Sequence, residues 1–189
     1  MSPEPQAPPA RRYARLRPGA TPDEPGASVV PDDGMCLSAF LVLRPVGRAG
    51  EVLMGRINPE APWAWIGGLD PQRVARIGAR WMLPSSQLLL FESPVDAVRR
   101  IVHEQLETSL PDLRGPVVFS EAYRREGSEK RDPHWDLHFV FEGRWPEARL
   151  PKSTAFRELA FVDVARTPRA DIARSQADVL ELLGLILPA

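Results

Sequence analysis

The segment Ser93–Glu107 constrains the fold more than any other part of the chain. A serine at Ser93 can accept from the free N–H groups of a helix start, and Pro94 at the first helical position loses no donor the helix needs. Val95, Val98, Val102 and Leu106 recur at spacings of three and four. That spacing predicts a helix running to about Glu107 with one buried face. The flanking segments have strand character. Met35–Leu43 is a continuous apolar run suited to a strand covered on both faces, and Glu51–Ile57 follows a turn at Gly47 and Gly50. Asn58–Leu69 reads as a loop, Pro71–Ala79 as a short helix capped by Asp70, and Leu88–Phe91 as a short apolar segment. Pro116–Tyr123, Trp135–Phe141 and Arg157–Val164 read as strands. Ala170–Leu187 reads as a closing amphipathic helix with Ile172, Val179, Leu182, Leu183 and Ile186 towards the core. This order predicts an α/β fold with a mixed sheet between helical layers.

A chain of 189 residues suits one domain and a tail. Pro3, Pro5, Pro8, Pro9, Pro18, Pro22 and Pro25 remove backbone donors and fix φ, so 1–31 is expected to be an extended tail and 32–189 the domain. The single cysteine, Cys36, excludes an internal disulfide and sits in an apolar run, as a buried structural thiol would. A formal net charge of -1 provides no long-range field for nucleic acid or an anionic membrane. No stretch approaches the roughly 20 apolar residues of a membrane span, and the N-terminus lacks the pattern of a secretion signal. The expected location is the cytoplasm.

Trp81, Leu83 and Pro84 lead into Ser85 and Ser86, and Glu92, Arg100, Val102 and Glu104 follow at fixed intervals. This stretch resembles the Nudix box of nucleoside-diphosphate-linked hydrolases: a glycine, five residues, a glutamate, seven residues, then R-E-U-x-E-E-x-G-U with U aliphatic. The box is usually entered through W-x-L-P-G-G. The resemblance implies a Nudix-type α/β/α sandwich with a mixed sheet between helices. It also implies a small nucleotide or diphosphate-containing ligand, and Mg²⁺ or Mn²⁺ held by helix carboxylates. The chain departs from the pattern at several positions. Ser85 and Ser86 replace the glycines, Ile101 and Gln105 replace two glutamates, and Glu107 and Thr108 stand where glycine and an aliphatic residue are usual.

Positions 101, 104 and 105 share a helix face, where the family gathers its metal ions. Hard cations need oxygen ligands, preferably charged ones, and metal-bound phosphate oxygens are what such a site activates. Here that face reads Ile101, Glu104, Gln105. Ile101 cannot ligate, and Gln105 offers at most a neutral carbonyl. Metal binding is therefore expected to be weak or absent, with Glu104, Gln105 and Glu107 as the candidate ligands and Glu104 the candidate catalytic group. Glu92 and Arg100 are retained, and the resemblance gives them a bracing role.

Other residues supply further candidates. His134, Asp136 and His138 alternate along a predicted strand and so share a face, where they could bind a metal or phosphate or simply be hydrogen-bonded. Trp63 and Trp65 could stack on a base or pack their loop against the core. Arg124 lies in a charged loop that could reach a ligand or form a solvated hairpin tip. The expectation is a Nudix-fold protein impaired in hydrolysis that binds a nucleotide or diphosphate ligand. The alternatives are a divergent Mg/Mn-dependent hydrolase using Glu104 with non-standard ligands, and a homodimer with a structural role.

Overall fold

The structure is a computed structural model that describes residues 35–48, 50–89, 91–109, 112–123, 134–146 and 149–187, with only the backbone described at Ala122, Tyr123, His134, Arg174 and Ser175. The expected tail, 1–31, and the loop holding Arg124 lie outside the described residues. Cys36–Glu121 and Asp136–Ala189 together form one compact unit.

Strand β1 spans Met35–Pro45 and β2 spans Glu51–Ile57. Helices α1, Trp63–Ile66, and α2, Pro71–Ile77, precede the short strands β3, Trp81–Met82, and β4, Ser85–Gln87. Helix α3 covers Pro94–Leu106, followed by β5, Leu113–Tyr123, β6, His134–Trp145, and β7, Phe156–Asp163. A 3-10 turn at Arg169–Asp171 leads into α4, Arg174–Leu182. The strands form two sheets, ordered β4-β1-β6-β5 and β3-β2-β7. The chain passes from the second sheet to the first across Leu83 and Pro84, and the Pro84 carbonyl accepts from Leu41 N. A proline there lacks the N–H that a continuing ladder would use.

The period-two alternation of the strands divides the core in two. Ala39, Leu41, Leu43, Leu53, Ile57 and Phe141 face one apolar cluster, while Phe40, Val42, Val52, Met54 and Val140 face the other. Helix α3 closes the first cluster with Ala97, Val98, Ile101, Val102 and Leu106, and α4 closes the second with Ala177, Val179 and Leu180. Each large aliphatic side chain so buried contributes roughly 1.5–3 kcal/mol. The expected α/β/α layering follows from this two-sided burial. Close packing also fixes Gly55 on β2, where a Cβ would lie 2.3 Å from Phe156 Cδ1 on the paired strand β7.

Several local expectations shift. The loop 58–69 contains the four-residue α1, with Trp63 buried by the core. Val95 is 41% exposed, because the inner face of α3 is centred on Ala97, Val98, Ile101 and Gln105 and leaves Val95 to one side. The last helix is shorter than 170–187. Pro168 precedes only a 3-10 turn, Ile172 is extended and bridges Trp81, and Gly184 turns the chain at φ 67° after the helix. Leu180 rather than Leu182 enters the core. No helix among the described residues is long and apolar enough to cross a membrane.

Candidate functional site

Ser86, Gln87 and Glu92 are tied to α3 by a guanidinium. Arg100 Nε donates to Glu92 Oε1 at 2.7 Å and Arg100 Nη2 to Glu92 Oε2 at 2.8 Å, a bidentate pair. The same side chain donates to Ser86 Oγ at 3.1 Å and to the Gln87 carbonyl at 3.0 Å. Glu92 also accepts from Leu89 N at 2.9 Å. The Arg100 hydrogen bonds hold the Glu92 carboxyl below its ordinary pKa against the opposing effect of burial, with the Leu89 N–H and the charge of Arg100 adding to the lowering. The Glu92 hydrogen bond in turn raises Arg100, again against burial. Ser93 starts the helix as expected, its Oγ accepting from Asp96 N at 3.1 Å.

Gln105 is the most committed polar residue of the region. It is 0% exposed, one turn below Ile101, which is also 0% exposed. Its Oε1 accepts from Ser85 N at 3.1 Å, and its Nε2 donates to the Ser85 carbonyl at 2.8 Å and the Ile66 carbonyl at 3.0 Å. These partners fix which end of the amide is nitrogen, since two acceptors must face the NH₂ group and one donor must face the oxygen. One side chain thereby joins α3 to β4 and to the last residue of α1.

Glu104 lies at the edge of this arrangement, its side chain 26% exposed and Oε2 3.7 Å from Arg100 Nη1. That oxygen is buried without a hydrogen-bond partner among the described residues. Glu107 ends the helix in the left-handed conformation at φ 49°, and its Oε1 accepts from Thr154 N at 2.7 Å. Ser153 Oγ donates to the Gln105 carbonyl at 2.6 Å, so residues 153–154 cap the C-terminal end of α3. The three candidate ligands thus diverge: Gln105 turns into the core, Glu107 turns to 153–154, and Glu104 stays beside Arg100. Among the described residues no group of three or more His, Cys, Asp or Glu could hold a metal ion.

Asp136 and His138 share a face of β6, as their spacing predicts, and are 9% and 3% exposed. His138 meets the Phe40 ring edge-on at 5.0 Å, and Phe40 belongs to the cluster under α4. This places the pair on the opposite face of the sheet from Ile101 and α3, so neither residue joins Glu104. His138 Nε2 lies 3.8 Å from Glu121 Oε2, while Nδ1 is buried with no hydrogen-bond partner among the described residues. Burial pushes the imidazole below its ordinary pKa, opposed by the charges of Asp136 and Asp178. The His134 side chain and Arg124 lie outside the described residues. Trp63 is a core residue, 1% exposed, with its ring against Phe156 and Nε1 donating to the Asn58 carbonyl at 2.8 Å. Trp65 stands 77% exposed.

The amide clamp is absent from the sequence expectations, although one signal for it exists. Gln105 continues the spacing of Val98, Ile101 and Val102, and a polar residue on a buried helix stripe must find partners.

No family model and no curated protein matches the chain. Solved structures do. The E. coli dihydroneopterin triphosphate pyrophosphohydrolase is similar at 15% identity and a TM-score of 0.53, over 82% of this chain and 97% of that one. The MutT protein from Methanosarcina mazei Go1 is similar at 18% identity and a TM-score of 0.52, over 81% and 95%. The NUDIX domain of Shewanella oneidensis NrtR, in a cocrystal with ADP ribose, is similar at 13% identity and a TM-score of 0.51, over 80% and 87%. Together with the two apolar clusters and the layering, these likenesses show that the chain shares the fold of these Nudix and MutT structures.

Proposed function

We propose that this chain is a Nudix-fold binding module for a nucleotide or diphosphate-containing ligand, impaired in metal-dependent hydrolysis. The observation that carries the reading is the state of Gln105. Two carbonyl oxygens, from Ser85 and Ile66, converge on its Nε2 within 3.0 Å. Converging oxygens are what a hard cation seeks, and here an N–H₂ group satisfies them. The amide oxygen is engaged as well, by Ser85 N. Gln105 therefore presents no charged oxygen to a metal and its one neutral oxygen is already engaged, Ile101 offers no ligand atom, and Glu107 is turned to Thr154. One helix carboxylate, Glu104, is too little charge to gather the ions that diphosphate hydrolysis on this fold uses, so the residues present do not fit that metal centre. The ligand class rests on fold likeness: a relative holds ADP ribose and another acts on a triphosphate.

The test has two readouts on the full chain. Thermal-shift titrations with ADP-ribose, dinucleoside polyphosphates, NADH and nucleoside triphosphates should identify a stabilising ligand. Turnover of the same compounds with Mg²⁺ or Mn²⁺ should be negligible, and robust metal-dependent turnover refutes the proposal.

A second reading, a divergent hydrolase, is favoured by the Glu104 Oε2 atom, buried beside Arg100 and lacking a hydrogen bond among the described residues. If activity is found, Glu104→Gln should abolish it, and a variant that keeps full activity eliminates this role.

A further inference from the structure

Helix α2 has an unusual environment. It is seven residues long, too short to persist alone, and none of its residues is buried. Its ends are held locally. Asp70 Oδ1 accepts from Arg73 N at 2.8 Å, and Arg80 donates from Nη1 to the Arg76 carbonyl at 2.7 Å and from Nε to the Ala170 carbonyl at 3.0 Å. Only Val74 and Ile77 lean on the first core cluster. Beside the helix lies an open cavity of about 650 Å³. Ile57 and Trp63, both 1% exposed, form part of its wall, and Val74 and Ala75 of α2 face it from the other side. No α3 residue lines it, so it is separate from the surroundings of Glu104.

The lining is apolar with one charged exception, Arg157 at the start of β7. The Arg157 side chain makes no hydrogen bond or ion pair among the described residues, whereas its neighbour Glu158 pairs with Arg56. The volume falls in the range of small-molecule sites, which are mostly apolar with a few placed polar groups. An apolar wall with one free guanidinium at it complements an apolar body carrying one anionic head, since Arg presents a planar fork suited to a carboxylate. From this juxtaposition of an apolar cavity, a helix with no buried residue and an unpaired Arg157, we infer a binding site for a small amphipathic carboxylate, with the apolar part between α1 and α2 and the head group on Arg157.

Decanoate and decyltrimethylammonium share a chain and differ in the charge of the head. Calorimetry on the full chain should show saturable binding of about one decanoate per chain, with the cationic amphiphile at least tenfold weaker. Arg157→Gln, an exposed position whose loss leaves packing intact, should weaken decanoate about tenfold and leave the cationic compound no weaker. Ala75→Phe, which fills the space from α2, should abolish decanoate binding while the circular dichroism spectrum stays that of the parent. Decanoate binding that is equal for both head charges, unaffected by both substitutions, or detergent-like in stoichiometry overturns the assignment. So does the absence of saturable binding, which is the result if a second copy of the chain fills the cavity.

Discussion

Replacing Gln105 separates an amide clamp from a metal-ligand position. Gln105→Met keeps the size and removes every polar atom, leaving Ser85 N, Ser85 O and Ile66 O without the partners they have at 3.1, 2.8 and 3.0 Å. Each buried group so abandoned costs about 1–3 kcal/mol, and local relaxation keeps the sum to roughly 3–5 kcal/mol. For a chain of this size that is a fall in Tm of roughly 10 °C. Gln105→Glu is the more informative change. The carboxyl still accepts from Ser85 N, but its second oxygen faces two carbonyl oxygens, so the charged form is disfavoured and the folded-state pKa is raised above the unfolded value. A group shifted that way binds more protons in the folded state, so stability is retained at low pH and lost as pH rises through the folded pKa. A divalent cation can restore the arrangement by sitting among the introduced carboxylate and the two carbonyls. Denaturation followed by circular dichroism should therefore show Gln105→Glu destabilised at neutral pH, and rescued by acid or by millimolar Mn²⁺. Gln105→Met should be rescued by neither. If both variants melt within about 1 kcal/mol of the parent, the amide is not a clamp and the reasoning fails.

Three further outcomes follow from the geometry. Glu92→Gln should cost about 2–4 kcal/mol, because it leaves Arg100, whose side chain is 14% exposed, without its charged partner. Since the Glu92 pKa is lowered, its contribution is present above the unfolded pKa and lost as pH falls through the folded one, so the variant should show a flatter acid limb in urea titrations. Phe91 is 98% exposed at φ 67°, a conformation that penalises a Cβ, so Phe91→Gly should leave stability unchanged or raise it by up to about 1 kcal/mol in the same assay, and a loss above that would mean Phe91 packs on something. His138 should titrate by NMR below the ordinary histidine pKa; stability gained from keeping it neutral is present above the unfolded pKa and lost as pH falls through the folded one, and His138→Leu should remove that slope.

The parts of this fold that were legible in the sequence are those decided locally. Ser93, Pro94 and Asp70 announced two helix starts because a cap needs only its own next three residues. The pairing of Glu92 with Arg100 was legible through the family spacing, and the shared face of Asp136 and His138 through period two. What remained hidden depends on long-range partners. The Gln105 amide meets groups 20 and 39 residues away, and helical arithmetic alone cannot tell whether positions 101 and 105 face a ligand or a core. Likewise, period two put Asp136 and His138 together but did not say that α4 rather than α3 covers them. The cavity at Arg157 is a property of how α2 stands against α1, for which the sequence carries no periodic signal.

These hidden contacts bear on why the segment departs from the pattern it resembles without losing its shape. Glu107 adopts the left-handed turn at φ 49° for which the resemblance supplies a glycine, and its hydrogen bond to Thr154 N offsets the strain. Arg100 holds Glu92, Ser86 and the Gln87 carbonyl together, so the segment before the helix is fixed by a guanidinium. Gln105 joins α1, β4 and α3 through neutral hydrogen bonds where a bound cation would join them through charge. These cross-links are thus supplied by side chains already present. On the binding-module reading, the parent protein should melt at the same temperature in chelator as in millimolar Mn²⁺, while its Gln105→Glu variant should not. A parent whose Tm rises with Mn²⁺ would return the region to metal chemistry.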